Sequence, residues 1–234
     1  MYEAVTAYPA GDSTVSRLAV TAASRGYDGL VVRTPEATGN PEEIADRYGV
    51  DIVEGVEIDA TDPSVVAGHV GTKRPETSVL MVRGGSPTIN RYAVEEPRVD
   101  VLTAPMSGEG DINHVLAAAA ARNDVRIEFR LGPVLRSQGG ERVQALSRLR
   151  KLREIIADSD ADHVVSADPM SHHHLRSITD LKALGAVIGF DPATIETGMA
   201  EWGSIAATNR ERHTDTVPEP GVRIEDDTDG GDRE

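Results

Sequence analysis

The chain has 234 residues, room for one sizeable domain and little for a second full one. It contains no cysteine, which excludes disulfides, cysteine-ligated zinc and thiol catalysis and fits a reducing cytoplasm. The formal charge of −15 arises from 39 acidic and 24 basic residues, and Lys73, Lys151 and Lys182 are the only lysines, a balance expected of a protein kept soluble at very high salt.

From the N-terminus onward, short β-branched runs alternate with longer stretches of helical period. The opening MYEAVTAYPAGD lacks the basic and long apolar parts of a secretory leader, and no apolar run reaches 18 residues, so a cytoplasmic protein without a membrane partner is expected. The first strand is placed at Tyr2–Ala7 and the second at Gly29–Arg33, with Gly26 standing where a helix ends on a left-handed residue. Asn40-Pro41-Glu42-Glu43 supplies a capping side chain, a first-turn proline and a third-position glutamate, so a helix starts there and stops at Gly49. Strands follow at Asp51–Ile58 and Ser78–Val82, a second helix start at Ser86-Pro87, and strands at Val99–Thr103 and Val125–Phe129. The spacing of Ala145, Leu149, Leu152 and Ile156, with Leu146 beside them, predicts a helix over 141–157 with that stripe in the core. The seventh strand is His163–Ser166, and Asp191-Pro192 opens a last helix.

Most of these strands are apolar at consecutive positions, as strands covered on both faces are. Seven strand–helix units without a long insertion predict a parallel sheet, most economically an α/β barrel of the TIM type with function at the carboxyl ends of the strands; an open doubly wound sheet is the alternative. Residues 1–212 are expected to form this single domain. Residues 213–234 carry eight acids and no periodicity, and a disordered acidic tail is expected.

The predicted strand ends carry little recognisable chemistry. The sequence has no HExxH, GxSxG, Walker lysine loop or GxGxxG, and no HxH after the first strand. Glu57 and Asp59, as i, i+2 neighbours, can project toward one point. Together with Asp168, His172 and His174 they are the residues from which a metal site could be assembled. Three consecutive histidines cannot all face one ion, however, and a polar loop at the barrel mouth is the simpler expectation for "SHHHLR" at 171–176. In "RGGSPTINR" (83–91), Gly84, Gly85 and Ser86 leave amides at a positive helix start, which is an anion site by geometry. Residues 83–153 hold 12 basic and 8 acidic residues, the one basic segment of an acidic chain. These arginines are expected to gather on one exterior patch around a chemically inert cavity. With eight aromatic residues in all, no stacking platform for unpaired bases is expected.

"GVEID" (55–59), "VRGGSPTINRYAVEEPRVDVLTAP" (82–105), "HVLAAAAARNDVRIEFRLGPVLRSQGGERVQALSRLR" (114–150) and "VVSADPMSHHHLRSITDLKALGAVIGFD" (164–191) resemble, in order, archaeal ribonuclease P protein component 3, the thirty-kilodalton subunit family. The resemblance spans roughly residues 2–210. It implies a barrel related to the polymerase and histidinol phosphatase superfamily. Such a chain serves as a protein subunit of the ribonucleoprotein that removes the 5′ leader from precursor tRNA, where RNA is the catalyst and the protein supports its folding.

The implied partners are ribonuclease P RNA, component 2 in a two-plus-two assembly, the other protein subunits and, indirectly, precursor tRNA. No cofactor is implied for the chain itself, and Mg²⁺ would enter the holoenzyme through its RNA. At family-matching positions Asn90, Arg91, Arg98, His114, Arg142 and Arg176 are the candidates for RNA or partner contact. Two departures weaken residual metal chemistry: "AVTAYP" replaces an acidic or histidine-bearing first strand, and Ser166-Ala167-Asp168-Pro169 replaces an SSDA-like turn. A stand-alone metal-dependent phosphoesterase of the same superfamily is the alternative.

Overall fold

The computed structural model describes residues 1–34 and 39–214. Seven strands form one parallel sheet in sequential order: β1 (Tyr2–Val5), β2 (Gly29–Val32), β3 (Asp51–Ile58), β4 (Val79–Arg83), β5 (Val101–Thr103), β6 (Arg126–Arg130) and β7 (His163–Ser166). Around them lie α1 (Val15–Ser24), α2 (Pro41–Tyr48), α3 (Pro63–Lys73), α4 (Pro87–Glu95), α5 (His114–Arg122), α6 (Gly132–Arg136), α7 (Gly139–Ala157), α8 (Ile178–Ile188) and α9 (Pro192–Thr214). Each predicted strand is found, β3 and β7 at the expected bounds and the others with ends displaced by at most two residues. The sequential order is that of a barrel, not of a doubly wound sheet.

The helix starts follow from their caps. Asn40 accepts the Glu43 amide, Ser86 accepts that of Ile89, and Asp191 accepts that of Thr194, each just before a first-turn proline. Gly49 closes α2 at φ 66°, where only a residue without Cβ is unstrained. In α7 the residues Leu149, Leu152, Ile155 and Ile156 are buried, while Ala145 and Leu146 pack at the edge of the same core. The short α6 was not expected from the sequence; it is a single turn between β6 and α7. Helix α9 continues to Thr214, two residues beyond the expected domain end, and residues 215–234 of the expected acidic tail lie outside the described residues.

Strand alternation sorts the apolar residues into two cores. One side of each strand, with Leu30, Ile52, Leu80, Leu102 and Ile127, packs against the surrounding helices. The other side faces the lumen, where Ala4, Val31, Val53, Met81, Val101 and Val164 meet Trp202, Ile205 and Ala206 of α9. Trp202 is fully buried and donates its indole N–H to the Val165 carbonyl at 3.0 Å. Helix α9 therefore plugs the amino-terminal end of the barrel, and the opposite end stays open. Among the described residues no helix is long and apolar enough to cross a membrane.

Strands β1 and β7 share no ladder, so the barrel has a seam. The Thr6 amide leaves β1 and bonds the Pro169 carbonyl across it at 3.0 Å. Glu3, fully buried, holds the same seam by accepting the Ala167 amide at 3.0 Å and its own neighbour Ala4 at 3.1 Å, with the Tyr27 hydroxyl at 3.4 Å. Burial pushes the Glu3 carboxyl up, against the Ala167 N–H and the Arg33 charge, to about 8.

The folded chain thus holds this proton to about pH 8, whereas an unperturbed glutamate releases it near 4.5. Unfolding releases a proton anywhere between those values, so stability falls as pH rises through that window. Glu3→Gln keeps the acceptor for Ala167 and removes the charge. Denaturant melts of the two proteins are expected to diverge by a few kcal/mol from about pH 5 to about pH 9, with the wild type losing stability and the variant staying level. Parallel pH profiles would show that Glu3 is ionised in the fold.

Candidate functional site

The open end of the barrel is built by continuing the lumen-facing alternation two residues past the last apolar position. Val31 leads to Arg33, Met81 to Arg83, Val101 to Thr103, Glu128 to Arg130, and Val164 through Ser166 to Asp168; Val53 leads through Gly55 to Glu57. Hydrocarbon fills the plugged end and charge fills the mouth. A cavity of about 730 Å³ opens there, lined by Arg33, Glu57, Arg83, Arg130, Arg136, Arg148 and Asp168 among others.

Two carboxylates organise the guanidinium groups. Glu57 receives Arg33 at 2.7 Å, Arg83 at 3.1 Å and Arg130 at 3.4 Å. Asp168 receives Arg130 and Arg136 on its two oxygens, both at 2.6 Å. Beneath them Arg33, only 3% exposed, also pairs with the buried Glu128, which accepts the Ser166 hydroxyl at 2.6 Å. The Arg33 guanidinium lies 5.6 Å from the Trp202 ring, a cation–π distance that ties the cluster to the plug. Asp168 and Ala104, both on the cavity wall, have φ of 52° and 47°, left-handed values uncommon for residues with a Cβ.

These contacts set the ionisation of the site. Burial alone would raise the Glu57 carboxyl, but Arg33, Arg130 and Arg83 outweigh it and hold the group down, at about 2. Burial works against the Arg33 charge, and Glu128, Glu57 and Asp168 more than restore it. Arg130 stays charged under the same opposition, with neighbouring Arg33 weakening its cation and Glu128 and Asp168 supporting it. At neutral pH Glu57 is an ion surrounded by cations, and it has neither a proton to give nor the basicity to take one.

The other metal candidates are dispersed. Asp59 is exposed and reaches Arg83 at 3.6 Å. The histidine triplet forms a 3-10 turn, His172–His174, anchored to the start of α1. His172 shares a hydrogen bond with the Ser13 hydroxyl at 2.9 Å and accepts from Arg17 at 3.4 Å. Among the described residues no three histidine or carboxylate side chains are arranged to hold a metal ion. The residues present do not fit such a group, because the two best-placed carboxylates already face guanidinium.

The expected anion site at residues 84–86 is satisfied internally. The Gly84 amide donates to the Thr103 carbonyl at 2.8 Å and the Gly85 amide to the Asn90 side chain at 3.2 Å. Gly84 is required there, since a Cβ would come within 2.2 Å of that same Asn90 oxygen. Asn90 is buried, donating to the carbonyls of Pro105 and Asp111, so it shapes the two loops and is not open to RNA. The β4–α4 turn thus spends the Gly84 and Gly85 amides and the Asn90 side chain on contacts within the fold.

The remaining five candidates do not converge. Arg91 is exposed on α4 with Glu95 at 3.9 Å, and Arg98 grips Glu96 through two nitrogens. His114 is exposed at the start of α5, and Arg142 is exposed on α7 with its Nε on the Ser137 carbonyl. Arg176 caps the carbonyls of His173 and Leu175. Nor do the arginines of the middle segment share one exterior patch. Arg126 is held by Asp124 and Glu201, while Arg150 and Arg153 bond the Val187 and Gly189 carbonyls at the C-terminal end of α8. Arg83, Arg130, Arg136 and Arg148 instead line the cavity. Arg33, Arg83, Glu128, Arg130, Arg136 and Arg148 were missed as site residues; the first four lie in or just past strands, where the sequence marks the position but not the face the side chain takes.

Comparison with known proteins agrees with this architecture. A family model described as RNase P subunit p30 matches residues 1–214. Ribonuclease P protein component 3 of Haloarcula marismortui is 53% identical over 232 residues, covering 98% of this chain and 99% of its own length. That of Natronomonas pharaonis is 52% identical over 228 residues, covering 96% and 95%. A chain in a cryo-EM structure of archaeal ribonuclease P with mature tRNA superposes with a TM-score of 0.81 at 22% identity, covering 98% of this chain and all of that one, and so shares the fold. With the model matching nearly the whole barrel and more than half of all positions identical in a full-length relative, the chain belongs to the ribonuclease P subunit p30 family, that of archaeal ribonuclease P protein component 3.

Proposed function

We propose that this chain serves ribonuclease P as a structural protein subunit: it supports the fold of the catalytic RNA that removes the 5′ leader from precursor tRNA, pairs with component 2, and carries no catalytic group itself. The observation that carries this reading is the state of Glu57 and Asp168. A barrel enzyme needs ligands or an acid–base pair at the strand ends. Here each strand-end carboxylate is occupied by two or three arginines.

Contact with RNA then falls to exposed guanidinium groups outside the network, Arg91 and Arg142 foremost, through backbone phosphates rather than bases. Asn90 is withdrawn from that set by its burial. Mg²⁺ would be the concern of the RNA.

Two expected outcomes test the reading. Reconstituted ribonuclease P should cleave precursor tRNA several-fold faster with this subunit than without it. Arg91→Ala with Arg142→Ala should lower that gain and make it less sensitive to salt, because fewer phosphate contacts remain to be screened. Cleavage indifferent to the subunit, or RNA-independent phosphoesterase turnover by the purified chain, would defeat it. Glu57→Gln strands three guanidinium groups and is expected to cost about 3 kcal/mol or more in chemical denaturation. In the wild type the contribution of Glu57 is present above about pH 4.5 and lost as pH falls toward about 2, because the folded chain resists protonating it.

A further inference from the structure

The barrel mouth keeps cationic and donor capacity that its own carboxylates do not use. Arg148, exposed on α7 and facing the cavity, has no hydrogen-bond or ion-pair partner among the described residues. Arg33 lines the cavity and its Nε is buried and unpartnered; the hydroxyl of Thr103, next in the chain to the wall residue Ala104, is buried and unpartnered as well. Buried donors without partners are uncommon and call for an acceptor. The Glu128 oxygen not facing Arg33 is also buried without a partner, and Glu128 borders a smaller cavity of about 90 Å³ walled by Met106, Leu149 and Leu152.

The four guanidinium groups linked through Glu57 and Asp168 are crowded by construction. Arg33, Arg83 and Arg130 share one carboxylate, and Arg130 and Arg136 share the other. Like charges packed this closely repel, and an additional anion relieves them. Of the acids on the cavity wall, Glu57 and Asp168 are spent on this network, and Glu141 is exposed near the start of α7. The cavity volume falls within the roughly 300–1,000 Å³ of small-molecule sites.

We propose that the barrel mouth binds a compact phosphate-bearing ligand, with the phosphate held by Arg83, Arg136 and Arg148 above the buried Arg33. The three come from β4, α6 and α7, so they reach one centre from different sides. A tetrahedral oxyanion can accept such a set, whereas a planar carboxylate presents its oxygens along one edge. The organic part of a phosphate ester would extend into the adjoining cavity between Met106, Leu149 and Leu152. The inference goes beyond the subunit reading and does not require it: the phosphate can be free or belong to an RNA backbone.

The test is calorimetric titration of the full-length chain with pyrophosphate in concentrated potassium chloride, with malonate as the carboxylate comparison. Saturable pyrophosphate binding, weakened about tenfold or more by Arg148→Ala, is expected, since a charge-assisted contact is lost. Arg122→Ala, at the far end of α5, should leave it unchanged. Arg148 is exposed and unpaired, so its truncation leaves the fold intact, which a melt of the variant verifies. Repeating the titration on the assembled ribonucleoprotein separates the sources: an RNA phosphate in the mouth abolishes pyrophosphate binding, and a free ligand's site retains it. No saturation at millimolar pyrophosphate, equal affinity for malonate, or undiminished binding by Arg148→Ala would overturn the proposal.

Discussion

The placement of Arg33 inside the barrel governs the rest of the mouth. A guanidinium that is 3% exposed has given up nearly all of its water, and its desolvation must be answered by charges and acceptors at hydrogen-bond distance. Glu57, Glu128 and Ser166 supply them from β3, β6 and β7, so one side chain binds four strands of the sheet. Glu57 then needs more cations than Arg33 alone, and Arg83 and Arg130 follow. Arg130 brings in Asp168, and Asp168 brings in Arg136. Each partner is required by the one before it. Such networks add less net stability than their pair count suggests, but they hold one arrangement firmly because any missing member leaves a buried charge behind.

That dependence also removes the chemistry a barrel mouth ordinarily supports. A carboxylate can ligate a metal or move a proton only if its lone pairs are free or its basicity is near the working pH. Glu57 has neither freedom, and Asp168 has both oxygens committed. Scaffold and site have exchanged roles: residues at the position of a catalytic centre now brace the strands, while the groups left to meet a partner lie on the rim and on the helices.

The fold was legible because its signals are local. Consecutive apolar β-branched residues, capping Asn40, Ser86 and Asp191, and the stop at Gly49 each act within a few residues, and all reappear as expected. The site was less legible for a reason inherent in parallel barrels. Strands buried on both faces are apolar at both parities, so "GLVV" does not reveal whether Leu30 or Val31 faces the lumen. Without that parity, Arg33 at the end of β2 could point into the barrel or out to solvent. Glu57 and Asp168 stood out as carboxylates at strand ends, but their arginine partners sit 24 to 73 positions away along the chain, and only closure of the sheet brings them together. Asn90 was misread for the opposite reason: beside Arg91 and close after a glycine turn it reads as a surface ligand, and only the convergence of the 104–111 loop buries it.

Charge and environment then divide the arginines into two populations. In salt of about 1 M the Debye length is roughly 3 Å, so the field of a chain carrying −15 barely extends beyond its surface. Exposed pairs such as Arg91–Glu95 lose most of their mutual attraction there, which frees Arg91 for a polyanion at little cost. The Arg33 network is shielded from that salt by burial and keeps its strength. A polyanion approaching this protein is therefore not repelled from a distance by the net charge, and it is not drawn by it either. At such salt only directed contacts at short range remain effective, and there the planar five-donor head of arginine outperforms the point charge of lysine, with which the near absence of lysine from the sequence is consistent.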